Sequence, residues 1–343
     1  MTAFATLSED ERRVYITQTS NELGVLPVLV EKDFWVTWTL ARVFALPSIG
    51  EHVVFKGGTS LSKVFKAIQR FSEDIDLQIA PLALGVDEAD LWAVDASLTQ
   101  RKKRSKELEK KCIAYVTGNL QPALETAINS ILGPAKDTGT WLRFEIDGTS
   151  NSPVLWFDYP SALPAEFVYA PKTVKLEPGS LADQQPTGTH RITPLIAEVA
   201  GDHAFGDFHA DVVAMELGRT FWEKATILHA ENNRPEEKSL PDRLARHYYD
   251  FVRLWRHPER SRLAGDLGLL DKVIRHKATF FANPWADYEN AKPPMLMLVP
   301  SDYRVRALSA DYREMQPMFF GDPPSFEEVI VILREAEREI NDE

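Results

Sequence analysis

The sequence lacks the features of a membrane-spanning or secreted chain. Among its 343 residues, no apolar run approaches the roughly 20 residues that a helix needs to cross a bilayer. Its only cysteine is Cys112, which excludes an intramolecular disulfide. The first residues, MTAFATLSEDERR, have neither the positive start nor the apolar centre of a signal peptide. We therefore expect a cytoplasmic protein with no membrane partner.

An excess of positive charge is absent as well. The chain has 39 Lys and Arg residues against 51 Asp and Glu residues, a formal net charge of −12. That negative net charge argues against extensive, sequence-independent binding to nucleic acid phosphates. Residues 101–111 nevertheless hold seven basic and two acidic side chains, and a substrate responds to the local field. Such a segment is typical of a solvated helix face; its functional alternative is a track for an RNA acceptor stem.

The apolar pattern predicts both strands and helices. Ser8 followed by Glu11 predicts a capping box at the start of the first helix, and Gly24 predicts its end. Strands are predicted over 51–56, 75–80, 141–147, 153–158 and 172–177. Further helices are predicted over 28–46, 59–69, 99–133, 216–233, 241–256, 264–281 and 325–341. The pattern indicates an α+β fold with a boundary near residue 205, between a half that contains the sheet and a helical half.

The most informative stretch is residues 55–77, FKGGTSLSKVFKAIQRFSEDIDL. Asp74 and Asp76 lie two places apart on a predicted strand, so both carboxylates project from one face. Ile75 and Leu77 then face the core. Two like charges at such a place are costly unless a cation lies between them. Magnesium, which prefers carboxylate and phosphate oxygens, is the expected occupant, although an isolated Asp-x-Asp is often no more than a solvated strand end.

A Gly-Gly turn precedes the aspartates and opens a short helix. Gly57 and Gly58 let backbone amides approach a ligand closely, and a helix N-terminus favours phosphate. Thr59 and Ser60 at the helix start are either N-caps or contacts to a nucleotide phosphate, with Ser60 the favoured contact. Lys63 could reach the same phosphates or be solvated, and the sequence does not separate these alternatives. Together these residues predict a metal-dependent nucleotide site.

The motif GGTSLSK followed by RFSEDIDL resembles the sequences of the toxin nucleotidyltransferases of the AbiEii/AbiGii abortive-infection family. The wider pattern resembles the DNA polymerase β-type nucleotidyltransferase superfamily. Fifteen residues separate Gly58 from Asp74, a spacing that suits the abortive-infection branch. The resemblance implies a nucleotidyltransferase core with a mixed sheet over residues 1–205. A mainly helical C-terminal domain over residues 206–343 would complete the active site.

The same resemblance implies the metal chemistry. Asp74 and Asp76 would hold two Mg²⁺ ions, with Mn²⁺ as an alternative ion. Nucleotidyltransferases of this type commonly take a third carboxylate from a later strand, and Glu177 in VKLEP is the candidate. Its implied role is general base or metal ligand. A surface glutamate before a proline turn is the equally weighted alternative.

A second block, MELGRTFWEKATILHAENN followed by RLARHYYDFVRLW, carries two further candidates. Lys224 lies beside apolar neighbours, where a lysine usually extends its ammonium group to solvent. In the abortive-infection toxins, however, the matching motif is a lysine on one helix and an aspartate on the next. On that resemblance Lys224 binds a nucleotide phosphate, and Asp250 orients Lys224 or an arginine.

The function that the resemblance implies is magnesium-dependent transfer of a nucleoside monophosphate from an NTP. The expected acceptor is the 3′ end of tRNA, which would inhibit translation, and the expected partner is an antitoxin encoded nearby. Two alternatives stay open. One is transfer to a protein or to a small molecule such as an antibiotic, which the net charge of −12 supports mildly. The other is a regulator that binds nucleotide without catalysis.

Overall fold

The computed structural model describes residues 1–87, 98–136, 139–148, 150–164, 171–181, 183, 185–201 and 205–342. Within these residues the predicted α+β class is confirmed, with a mixed seven-stranded sheet and many helices. None of the helices in this part of the chain is long and apolar enough to span a membrane.

The strands of the sheet are β1 (Val53–Lys56), β2 (Ile75–Ile79), β3 (Leu142–Ile146), β4 (Pro153–Phe157), β5 (Val174–Gly179), β6 (Thr187–Ile192) and β7 (Ala210–Met215). Their order across the sheet is β3-β4-β5-β2-β1-β7-β6. β2 lies between an antiparallel neighbour, β1, and a parallel neighbour, β5. This central place puts one face of β2 against the core, where Ile75 and Leu77 are fully buried as predicted.

The helices follow in chain order. They are α1 (Thr2–Ala5), α2 (Glu9–Leu23), α3 (Pro27–Phe44), α4 (Gly57–Lys63), α5 (Leu98–Tyr115), α6 (Gln121–Leu132), α7 (Leu195–Ala200), α8 (Leu217–Asn232), α9 (Ala245–Trp255), α10 (Arg260–Ala264), α11 (Leu267–Phe280), α12 (Asp302–Glu314) and α13 (Phe326–Asp342). The π-helical turn Val116–Leu120 joins α5 to α6. The long helical stretch predicted over 99–133 is thereby confirmed.

The chain divides into two compact units. The first comprises the described residues of Met1–Val64, Glu73–Val94 and Lys103–Ala214. Phe65–Ser72, the described residues of Asp95–Lys102, and Met215–Glu343 form the second. The domain boundary expected near residue 205 remains a prediction.

Local sequence signals account for several helix ends. Ser8 and Glu11 form the predicted capping box at the start of α2, and Gly24 ends that helix in a left-handed conformation. α3 is buried on nearly all sides, and its Trp35 and Trp38 pack against Phe157 of β4. These aromatic contacts anchor α3 in the first unit.

Several parts of the fold differ from the expectation. The helix predicted over 59–69 ends at Lys63, because Lys66 has a positive φ of 52° and the chain beyond it pairs elsewhere. In the segment after Lys66, the Phe71 N–H donates to the Met318 carbonyl, and the Phe320 N–H donates to the Gln69 carbonyl. β7 was expected as part of a helical half, yet it pairs in parallel with β1. The sequence analysis did not predict strand β6 or helices α1, α7, α10 and α12.

Candidate functional site

The Gly-Gly turn and the second aspartate touch. Gly57 has a φ of +80°, a left-handed conformation that disfavours any residue with a Cβ atom. A Cβ added at Gly57 would overlap Oδ2 of Asp76. Glycine is therefore favoured at this position for two reasons: the backbone is left-handed, and the Asp76 carboxylate occupies the space that a side chain would need. This contact explains why the motif needs a glycine immediately after β1.

Asp76 lies in a row of polar residues across three neighbouring strands. Its partner in the antiparallel ladder is Lys56 on β1, and its partner in the parallel ladder is Glu177 on β5. Residues in register on adjacent strands project from the same face of a sheet. The structure thus brings the predicted third carboxylate beside the second, on the face opposite the buried Ile75 and Leu77.

Asp74 lies one residue before β2, not within it. Thr59 fixes its backbone, because the Thr59 hydroxyl donates to the Asp74 carbonyl over 2.6 Å. Burial raises the pKa of the Asp74 carboxyl, and the negative charges of Glu177 and Glu73 raise it further. Asp74 is therefore a carboxylate in an environment that disfavours its own charge, which is the condition that a bound cation would relieve.

Two lysines offset part of this negative charge. Lys175 Nζ lies 2.6 Å from Glu177 Oε1, and Lys32 Nζ lies 2.6 Å from Glu73 Oε2. Both lysines also lower the pKa of Asp74 somewhat, but they do not outweigh burial and the two glutamates. Glu177 is therefore a partly exposed residue that is paired with Lys175, and its role as general base or metal ligand stays a prediction.

The hydroxyl predicted to touch phosphate is turned inward in this structure. Ser60 is fully buried, and its Oγ donates to the Gly57 carbonyl over 2.9 Å. Lys63 is 8% exposed and forms a close ion pair with Asp33 of α3. Asp33 in turn accepts a hydrogen bond from the Leu195 N–H at the start of α7. The contacts of Ser60 and Lys63 with nucleotide stay predictions.

The charged residues Glu31 and Lys32 in the first turns of α3 are buried and are not solvated helix-end charges. Glu31 is 1% exposed and accepts hydrogen bonds from Ser161 Oγ and Ala162 N–H, while burial raises its pKa. Lys32 is 3% exposed and bonds to Glu73 and the Pro171 carbonyl. Because a buried charge requires partners, Lys32 helps to place the segment that carries Glu73 and Asp74, whereas Glu31 holds the segment around Ser161.

The carboxylates suit magnesium better than a metal held by protein ligands alone. In the part of the chain that the structure describes, no group of three or more His, Cys, Asp or Glu side chains is arranged to hold a metal ion. Magnesium is commonly bound by one or two carboxylates together with substrate phosphates and water. The Asp74 and Asp76 pair, with its disfavoured charge at Asp74, fits that mode of binding.

The second unit contains an ionic network centred on the fully buried Asp250. Asp250 is 0% exposed and receives a bidentate contact from Arg70, Nε to Oδ1 at 2.7 Å and Nη2 to Oδ2 at 2.9 Å. Lys224 Nζ donates to the same Oδ2 over 2.7 Å and lies 3.0 Å from Nδ1 of His247. Since an ammonium group only donates, His247 accepts at Nδ1 and is neutral.

The pKa values in this network follow from its charges. Burial alone would raise the pKa of Asp250, but Arg70 and Lys224 outweigh it and hold that pKa below the usual value. Burial lowers the pKa of Lys224 despite the attraction of Asp250. Burial and the Lys224 charge lower the pKa of His247 well below 6.5. Lys224 and Asp250, paired in the sequence analysis by resemblance, are thus in direct contact.

The sequence analysis missed two residues of this network, His247 and the counter-ion Arg70. Arg70 stands in the quoted motif RFSEDIDL, four residues before Asp74. Gln69 N–H donates to the Tyr249 hydroxyl, and Arg70 forms a β-bridge with Phe319. The sequence offered one signal for such a residue: Asp250 lies on an apolar helix and is therefore expected to be buried. A buried carboxylate favours a second cation in addition to Lys224. Nothing local in the sequence identifies which arginine supplies it.

The fold and the acidic face define an α+β protein with paired carboxylates beside a Gly-Gly turn. The chain belongs to the AbiEii nucleotidyl transferase toxin family of type IV toxin–antitoxin systems, whose family model matches residues 38–331. Membership indicates a nucleotidyltransferase toxin and implies an antitoxin partner. A comparison with curated proteins found no match.

Proposed function

We propose that this protein transfers a nucleoside monophosphate from an NTP to the 3′ end of tRNA and releases pyrophosphate. The observation that carries the proposal is the Asp76 carboxylate packed against Gly57, with Asp74 and Glu177 beside it. Family membership supports the reaction class. A blocked tRNA end could not be aminoacylated, which accords with a toxin and with a role in abortive infection.

The reaction requires one bond to form and one to break. The acceptor hydroxyl oxygen attacks the α-phosphorus, and the bond from that phosphorus to the β-phosphate oxygen breaks. Glu177, which lies in register with Asp76, is the proposed acceptor of the hydroxyl proton. Asp74 and Asp76 would hold two Mg²⁺ ions, or Mn²⁺ in their place. The bound ions would supply neutralisation of the triphosphate charge and activation of the hydroxyl.

Phosphate binding is assigned to the start of α4. The first backbone N–H groups of a helix have no partner within the helix, and Gly57 and Gly58 occupy those positions in α4. Gly57 admits close approach because it lacks a side chain. Ser60 and Lys63 are proposed as further phosphate contacts. For Lys63 this requires exchange of its present partner, Asp33, for phosphate.

Lys224 and Asp250 keep the roles that the family resemblance implies. Lys224 Nζ has three N–H donors, of which Asp250 and His247 take two. The remaining donor is proposed to bind a nucleotide phosphate. Asp250 orients Lys224 and Arg70 through its two oxygens.

The test is incubation with each α-³²P-labelled NTP, magnesium and total cellular tRNA. We expect label on tRNA with wild type and none with Asp74→Ala or Asp76→Ala, whose fold is checked by circular dichroism. Asp10→Ala, an exposed aspartate of α2, is the matched control and should keep full transfer. Unchanged transfer in either site variant would contradict the metal assignment. Label on protein or on a small molecule, and none on RNA, would contradict the tRNA acceptor.

A further inference from the structure

Helix α5 presents a row of lysines on the face opposite its buried side. At about 100° per residue, Lys103, Lys106 and Lys110 fall within an arc of about 60°. Leu108 and Cys112, which are 3% and 1% exposed, lie on the other side of the helix. All three lysines are exposed. From Lys103 to Lys110 the row extends about 10 Å along the helix axis.

The lysine row is not neutralised within the described part of the chain. None of the three ammonium groups forms an ion pair with a carboxylate there, although the exposed Glu107 lies four residues after Lys103 and three before Lys110 and weakens the local charge. Lys106 and Lys110 are four residues apart, and Lys103 and Lys106 are three apart. Like charges at these spacings destabilise a helix slightly. The row therefore presents concentrated positive charge to solvent in a protein with a net charge of −12.

We propose that Lys103, Lys106 and Lys110 bind the phosphate backbone of the RNA acceptor. The inference rests on the proposed function, since that function supplies the RNA. Charge complementarity carries it: three cations in a row match a chain of regularly spaced phosphates, and lysine binds phosphate as a point charge. The contact would position the RNA without reading its sequence.

An acidic protein and an anionic membrane surface fit the lysine row less well than RNA does. Protein interfaces are poor in lysine and rich in aromatic residues, and no large apolar side chain in the described part of α5 is exposed. A helix that binds a membrane surface also carries apolar residues that enter the lipid. A face made of lysines and small or polar side chains is the composition expected for contact with phosphates.

The experiment measures RNA binding of the variant Lys103→Gln/Lys106→Gln/Lys110→Gln over a range of salt concentrations, without NTP. The control is Lys272→Gln/Arg275→Gln/Arg306→Gln, which removes the same three positive charges from exposed positions on α11 and α12. Fluorescence anisotropy with labelled total tRNA reports the dissociation constant. Thermal unfolding verifies that both variants fold.

We expect the lysine variant to bind at least about tenfold more weakly at low salt. Its salt slope should be smaller by about 2 to 3, since each of the three lost phosphate contacts accounts for roughly 0.7 to 0.9 of that slope. The control should behave as wild type. Equal affinity and equal slope in the lysine variant would overturn the proposal, as would a wild type that binds no RNA. Selective loss of binding to anionic lipid vesicles, with RNA binding intact, would also overturn it.

The two proposals fail separately. Label transfer by wild type is scored in a parallel reaction with the same tRNA. If wild type binds RNA through the lysine row but transfers no label, the proposed function fails and the binding surface stands. If wild type transfers label and the lysine variant keeps the same KM for tRNA, the proposed function stands and the binding surface fails.

Discussion

Two aspartates in this protein, Asp74 and Asp250, are placed in opposite electrostatic environments. Burial and the neighbouring Glu177 and Glu73 raise the pKa of Asp74. For Asp250, burial acts in the same direction, but Arg70 and Lys224 reverse the outcome and lower the pKa. The comparison indicates which carboxylate has room for an external cation. The charge of Asp74 is incompletely balanced by its neighbours, whereas the charge of Asp250 is balanced by the chain itself.

The largest effect is expected for a substitution in the proposed metal site, which contains Asp74 and Asp76. Asp76→Asn should reduce nucleotidyl transfer by about 10⁴-fold, or about 5.5 kcal/mol of activation free energy, because a metal ligand is lost. The fold should stay intact, since the amide has nearly the same shape as the carboxylate. Steady-state rates with labelled NTP provide the measurement. Asp10→Asn serves as the control, and a rate for Asp76→Asn within tenfold of wild type would contradict the assignment.

A substitution in the network of Asp250, Arg70 and Lys224 should lower the stability of the fold. Asp250→Ala leaves Arg70 and Lys224 buried without their counter-charge, so the free energy of unfolding should fall by about 3–5 kcal/mol. Urea denaturation provides the measurement. Asp211→Ala, which breaks the exposed ion pair with Arg191, should leave stability unchanged. A loss no larger than that of Asp211→Ala would show that Asp250 is not the centre of the network.

The Gly57 contact can be tested against another left-handed glycine. Gly57→Ala should lower the free energy of unfolding by about 2–4 kcal/mol, through backbone strain and overlap with Asp76. Gly24→Ala has a similar φ, 64°, but open space around the added Cβ atom. It should therefore cost only about 1 kcal/mol. Equal costs for the two variants, measured by urea denaturation, would mean that the Asp76 contact contributes nothing.

The smallest effect concerns pH. The folded pKa of His247 lies below 6.5, so the unfolded chain binds this proton more readily than the folded one. Stability from this group is complete above pH 6.5 and falls as the pH decreases, by at most about 1.4 kcal/mol per pH unit for one proton. His247→Asn should remove that part of the pH dependence, as measured by thermal unfolding from pH 7 to pH 5. The exposed His209→Asn should not, and parallel curves for wild type and His247→Asn would contradict the account.

The local parts of the site were predictable from the sequence. The spacing of Asp74 and Asp76, the apolar residues between and after them, and the glycines before them all act within about twenty residues. The strand alternation that buries Ile75 and Leu77 is also local. The structure moves Asp74 only one place, to the residue before β2.

The parts that escaped prediction depend on contacts between distant segments. Arg70 and Asp250 are 180 residues apart in the chain, and Lys32 and Glu73 are also brought together by tertiary packing. No periodicity identifies such partners. The α4 helix ended early for a similar reason, because residues after Lys66 pair with the segment around Met318. Tertiary pairing there overrides the local preference for helix.

The central claim is that the Asp74 and Asp76 face binds magnesium together with nucleotide. The direct measurement is a calorimetric titration of wild type and Asp74→Asn/Asp76→Asn with a non-hydrolysable NTP analogue, with and without Mg²⁺. We predict that Mg²⁺ strengthens binding to wild type by at least about tenfold, or roughly 1.4 kcal/mol, and has little effect on the double variant. An equal magnesium effect on both proteins, or none on wild type, would contradict the account.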